Sequence, residues 1–232
     1  IFTGKGIYDL RVFSEVLNGE IPENTVLSHD LLEGSYVRCG LVSDIMLMDG
    51  YPTTYNAFKT RSHRWIRGDY QILGWIFKNR LNVLSKYKIL DNINRSLSEP
   101  CVLILLFLNL FVKSNLIVII SIISVIMPYI LDFINKIIYK KDGEFHQKKY
   151  SKEIPSIALI LLKILIDISL IPDKAYVSVN AGIKSLYRMC KSKKHLLEWT
   201  TAEEAERNSK RGVIPYYINM LPNIIFGGLL LV

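Results

Sequence analysis

PCVLILLFLNLFVKSNLIVIISIISVIMPYIL, residues Pro100 to Leu131, is a run of 32 residues that carries one charge, Lys113. As a single helix it would be about 48 Å long, well beyond a hydrocarbon core of about 30 Å, so it does not fit one upright span. Lys113, Ser114 and Asn115 make a polar break inside it. The run therefore reads as a tight hairpin of two spans, at about 97–112 and 115–137. Both are near the short limit, which places the tip close to the far interface.

Outward on the C-terminal side, Lys136, Lys140, Lys141, Lys148, Lys149 and Lys152 make a strongly basic segment. By the tendency of positive loops to stay in the cytoplasm, it is expected there, as a hairpin that leaves and returns requires. Residues 154–172 have the length and apolarity of a further span, yet Lys163 and Asp167 lie in their middle at i and i+4. The following stretch holds Lys184, Arg188, Lys191, Lys193 and Lys194, which a crossing would place outside. Parity favours an interfacial helix for 154–172, with a span as the competing reading. Residues 183–197 read as another interfacial helix. Residues 213–232 start a final span, loosened by Pro215, Pro222 and the Gly227–Gly228 pair.

On the N-terminal side, 69–78 and 86–97 suit amphipathic helices in the head-group layer, with Tyr70 and Trp75 as interface anchors. Before them come a helical stripe over 7–17, which should pack on a domain core, and a turn at 18–22. A short helix with Ser28 as N-cap follows, expected to bury Leu31, Leu32, Tyr36 and Cys39 and to stop at Gly40. Residues 41–48 read as a buried strand ended by Asp49-Gly50-Tyr51-Pro52, and a helix starts after Pro52 with Thr53 as its cap. This order predicts an α/β fold over residues 1–80, the C-terminal half of a domain whose first half is absent. Interfacial and transmembrane helices then fill 81–232. The sequence begins on Ile1 and closes inside an apolar run at Val232, so it reads as part of a longer chain.

Half of the 232 residues are hydrophobic and the net charge is +8. With long apolar runs present, phospholipid head groups are the expected anionic partner, and no nucleic-acid-binding signature offers the other reading. Cys39, Cys101 and Cys190 lie far apart and suggest neither a disulfide frame nor a metal cluster.

Three pieces carry chemistry. In FTGKG, residues 2–6, Lys5 sits between two glycines where an ammonium meets a phosphate or a sugar oxygen, although a bare turn explains the pattern equally. In ENTVLSHDLLEG, residues 23–34, Asp30 falls in the first turn of a helix, whose dipole favours the ionised carboxylate a base needs. The plainer reading is an acidic residue decorating a helix start; His29 beside it is a hydrogen-bonding neighbour or a substrate contact. In RSHRWIRGDYQ, residues 61–71, Arg61, Arg64 and Trp65 share one helix face. Two guanidinium forks beside an indole suit a diphosphate joined to a sugar, and a basic face lying on anionic lipid suits them too.

These pieces, with GLVSD at 40–44 and HLLEWTTAEEAE at 195–206, resemble the glycosyltransferase part of the cyclic β-1,2-glucan synthases. More distantly, their order is similar to that in the processive glycosyltransferases related to cellulose synthase. The resemblance implies a GT-A-like domain and a bacterial inner-membrane enzyme facing the cytoplasm. It implies transfer of glucose from UDP-glucose to a growing β-1,2-glucan, with inversion at the anomeric carbon. Asp30 then stands at the base position and Arg61, Arg64 and Trp65 at the QxxRW positions, Arg61 replacing the usual Gln. Lys5 and His29 are carried as substrate-binding candidates. A divalent metal, Mg or Mn, is expected on the diphosphate, but no DxD motif occurs in this chain, so its ligands lie outside it. The reading of a different class is a non-catalytic, membrane-anchored module that binds anionic lipid or glucan. Residue types assign no chemistry to HLLEWTT.

Overall fold

The computed structural model describes residues 6–28, 30–40, 42, 50–141, 157–208 and 213–230. Two compact units emerge, one of residues 1–98 with 176–221 and one of 99–175 with 222–232. Every regular element among the described residues is helical: α1 Leu10–Leu17, α2 Asp30–Val37, α3 Tyr55–Ile72, α4 Val83–Val112, α5 Asn115–Lys141, α6 Ile157–Tyr187, α7 Ala202–Asn208, α8 Val213–Asn219 and α9 Leu221–Leu230.

This overturns the α/β, GT-A-like expectation. The strand expected at 41–48 lies outside the described residues apart from Val42, which has no regular structure. A lone strand leaves its backbone donors and acceptors unpaired, and the surrounding elements bury their apolar sides helix against helix instead.

In the first unit the core is Val26, Leu32, Ile72, Leu81 and Ile89, flanked by Ile21, Leu31, Tyr36 and Trp75. Leu32 and Ile72 are almost wholly buried, a transfer term of about 1.5–3 kcal/mol each. Trp75 thus packs inward on this cluster, and the Tyr70 ring lies against Gly182 of α6, where an added Cβ would stand 3.0 Å from Cζ. Neither ring has the interfacial setting expected of it. Residues 69–72 are the last turn of α3, and a 3-10 turn, Leu73–Phe77, follows.

Helix ends follow local chemistry. Thr54, one residue after the expected cap, accepts from the Ala57 N–H and starts α3, while Thr53 donates to Glu206. Asp9 caps α1 by accepting from the Arg11 and Val12 amides; α1 packs on α2 with Phe13, Val16 and Leu17 of its apolar stripe half-buried, while Ile7 and Leu10 stay exposed. Arg38 takes a left-handed φ of 59° just after α2, ending that helix before Gly40 and leaving Cys39 exposed.

Asp69, near the end of α3, is a half-buried acid. Its Oδ1 accepts from Asn92 at 2.8 Å, yet burial pushes its carboxyl up to about 6, against the lowering effects of Asn92 and Arg95. The folded-state value lies above the ordinary carboxylate value of 3.8, so stability falls as pH rises from about 4 to about 6 and stays lower above that. The loss is at most about 3 kcal/mol, taking about 1.4 kcal/mol per unit. Asp69→Asn keeps an acceptor for Asn92 and removes the charge. Thermal denaturation should show a higher melting temperature for this variant at pH 7.5 and none at pH 4; equal gains at both pH values would assign the effect to packing.

The second unit holds the apolar run. Helix α4 is continuous through residues 86–112, merging the expected interfacial helix and first span, and α5 begins after a gap of two residues, Lys113 and Ser114. Lys113, at φ 51°, and Ser114, whose N–H is accepted by the Asn109 side chain at 2.9 Å, make the break where the polar residues stand. Both helices are long and apolar enough to cross a membrane. In α5 the Ser121 and Ser124 hydroxyls donate to the carbonyls of Ile117 and Ile120, so their polarity is satisfied within the helix.

Helix α6 runs unbroken from Ile157 through Pro172 to Tyr187, joining the segment read as interfacial or spanning to the one that follows it. Asp167 pairs with Lys174 at 2.6 Å, a partner other than the Lys163 that the spacing brings forward. Pro172 has no N–H and disturbs the hydrogen-bond ladder around it. Next to it, the Asp173 N–H donates to the side-chain oxygen of Asn223 in α9 at 2.7 Å. The helix expected over 183–197 passes into a π-helical turn, Arg188–Ser192, and ends there, with Lys193 left-handed at φ 50°.

Candidate functional site

Successive residues of an α-helix turn by about 100°, so Arg61, Arg64, Trp65 and Gly68 share one side of α3. The Arg61 guanidinium carbon stands 4.5 Å from the centre of the Trp65 ring and 4.6 Å from that of Tyr51. It is held between two aromatic rings, and its Nε is buried without a hydrogen-bond partner. Arg64 lies over Trp199, 4.8 Å from the ring centre. Trp65 itself remains 47% exposed, so an open indole surface is left beside the two cations.

Asp30 opens α2. The approach is close because Gly68 has no side chain: a Cβ there would stand 3.1 Å from Ser28 Cβ. Nearby, the Leu27 N–H donates to Gln71 Oε1 at 2.7 Å, fixing the loop before α2 onto α3. Burial and the Arg61 charge hold the Arg64 guanidinium below its ordinary value, and the Asp30 carboxylate pulls it back up. Asp30 is therefore within electrostatic reach of Arg64. Lys5 and His29 lie outside the described residues.

The segment HLLEW is brought to the same helix. Arg67, 5% exposed, donates to the carbonyls of Glu198 at 2.8 Å, Leu196 at 3.1 Å and His195 at 3.3 Å. Gln71 Nε2 adds a bond to Leu196 O at 3.1 Å. Arg188 donates to His195 O at 2.6 Å and to Glu198 Oε2 at 2.5 Å, and holds the Glu198 carboxyl below the usual range. Left-handed backbone at Lys193 and His195 turns the chain so that these carbonyls converge.

Tyr51, Arg67 and Trp199 are the parts of this arrangement that sequence reading missed. Trp199 lay inside a matched motif, so the motif was the available signal; Arg67, three residues after Arg64, carried nothing to separate a buried anchor from a surface charge. Among the described residues no three His, Cys, Asp or Glu side chains gather to hold a metal ion.

No protein-family model matches the chain. Its sequence is 36% identical over 93% of its length to cyclic beta-(1,2)-glucan synthase NdvB of Rhizobium meliloti (strain 1021). The chain spans about 8% of that protein's length. The likeness read from the motifs thus runs through nearly the whole sequence, the long apolar helices included.

Proposed function

We propose that this chain, similar along nearly all its length to a segment of a cyclic β-1,2-glucan synthase, contributes the acceptor-activating and leaving-group side of an inverting glycosyl-transfer site. The donor is UDP-glucose and the acceptor a growing β-1,2-glucan. Asp30 takes the proton of the acceptor hydroxyl as that oxygen attacks the anomeric carbon. The bond to the diphosphate breaks on the opposite side, and UDP leaves with the bonding pair. Arg61 and Arg64 offset the charge that collects on the diphosphate, and the open surface of Trp65 holds the acceptor ring in line.

What carries this reading is one juxtaposition: Arg61, Arg64 and Trp65 on a single face of α3, with the Asp30 charge felt at Arg64. Lys5 and His29 remain substrate-binding candidates, Lys5 on the diphosphate. Helices α4 and α5 anchor the site in the bacterial inner membrane, and the lysines of 136–152 favour the cytoplasmic side, where UDP-glucose is made available. A lipid-binding module fits less well. A face that reads anionic lipid extends its cations into water, whereas Arg61 and Arg64 are folded onto rings.

Arg64→Met in the intact, membrane-embedded protein should raise the KM for UDP-glucose about 10- to 100-fold, the loss of a charge-assisted hydrogen bond worth about 1.5–3 kcal/mol. Initial-rate kinetics in isolated membranes measures this. A KM within twofold of the parent's would take Arg64 off the diphosphate.

A further inference from the structure

The other side of α3 borders a cavity of about 320 Å³ within the first unit, near the lower end of the range for small-molecule sites. Asn56, Thr60 and His63 line it from α3, Tyr176 and Asn180 from α6, and Asn219 from the end of α8. None of these belongs to the face that carries Arg61, Arg64 and Trp65.

Asn56 is the telling residue. It is 9% exposed, and both its Nδ2 and its Oδ1 are buried without a hydrogen-bond partner. A buried amide left unpaired is costly, and such groups are regularly explained by a ligand. The groups around it are mostly polar and uncharged, with Lys59 the one charged lining residue. His63 Nε2 faces Asn180 Oδ1 at 3.1 Å, and burial, with the charges of Arg67, Lys184 and Arg188, favours the neutral ring. The one ammonium, Lys59, donates to the Asn219 carbonyl at 2.8 Å and lies 5.9 Å from the centre of the Tyr176 ring. The Thr60 hydroxyl donates to Asn56 O at 3.0 Å, which leaves its lone pairs to accept.

Side-chain amides that donate and accept, a hydroxyl, a neutral imidazole and an aromatic ring match a ligand with adjacent hydroxyls and an apolar ring face. We infer that this cavity is a binding site for one uncharged sugar ring of a glucan chain, with Asn56 bonding neighbouring hydroxyls and Tyr176 covering the ring. The identification of the sugar as glucan rests on the reading of the chain as part of a glucan synthase. The site is separate from the arginine face and takes no part in the transfer chemistry.

The test uses the intact protein in lipid nanodiscs, free of glycerol and of sugar-headed detergent, with β-1,2-glucotriose and UDP as separate probes for saturation-transfer NMR. Wild-type protein should transfer saturation to the ring protons of the glucotriose. Asn56→Leu, close in size and without the amide, should weaken that binding at least tenfold, leave the UDP signal in place and raise the melting temperature by a few degrees. Val177→Trp, which fills the cavity from α6, should give the same loss of sugar binding should the first variant not fold. No transfer to glucotriose in the wild type, or undiminished transfer in both variants, overturns the inference. Intact sugar binding with a lowered melting temperature in Asn56→Leu also overturns it, since the amide would then be structural. Loss of sugar binding with UDP bound normally touches the cavity alone; absence of UDP binding in the wild type counts against the donor role of Arg61 and Arg64.

Discussion

An intact protein carrying Asp30→Asn is expected to lose glucosyl transfer by about 10²- to 10⁴-fold, the span usual for removing a positioned base, while binding UDP-glucose as tightly as before or more so. Asparagine keeps the size of the side chain and its place as the first residue of α2 but cannot accept a proton. The same change removes a negative charge from beside Arg64, which favours an incoming diphosphate. The two effects have opposite signs, and that separates a base from a residue that merely supports the fold. Incorporation of labelled glucose gives the first and equilibrium binding of UDP-glucose the second. Transfer within threefold of the parent would remove Asp30 from the chemistry; donor binding that vanishes along with transfer would make it structural.

Arg67→Met is expected to be the most damaging change to the first unit that leaves the proposed catalytic groups untouched. One buried guanidinium satisfies three carbonyls on a segment about 130 residues away in sequence. Removing it strands those acceptors, a cost on the order of 3–5 kcal/mol for a broken buried charged network. Stabilities of 5–15 kcal/mol are typical, so a large share would go. The 195–199 turn should loosen, and trypsin should cut faster after Lys193 and Lys194. Arg67→Lys should recover little, because one ammonium does not reproduce a planar fork across three oxygens. A cutting rate and melting temperature like the parent's in Arg67→Met would show that the segment is held by something else.

The local features of this fold were legible where local chemistry decides them. Lys113 and Ser114 interrupt an apolar run, and the helices stop and restart there. The shared face of Arg61, Arg64 and Trp65 follows from helical periodicity alone, as does the burial of Leu32. The misread features depend on partners far along the chain. The six apolar residues within 41–48 suggest a strand from composition, but a strand needs another to pair it, and no strand occurs among the described residues, which include only Val42 of this stretch. The helix expected through residue 197 ends early because Arg67 and Arg188 collect the carbonyls of 195, 196 and 198, which a continuing helix would have used internally. The placement of Arg61 beside both Tyr51 and Trp65 needs a ring from before the helix, which spacing within the helix does not reveal.

The bond from the Asp173 N–H to Asn223 also sets an order of events during synthesis. The ribosome delivers Asp173 fifty residues before Asn223, whose side chain accepts its N–H. Until then that backbone donor must find a temporary acceptor in water, lipid head groups or the insertion machinery. The middle of α6 therefore matures only after α9 has emerged, and a nascent chain halted short of residue 223 should keep a fast-exchanging amide at Asp173.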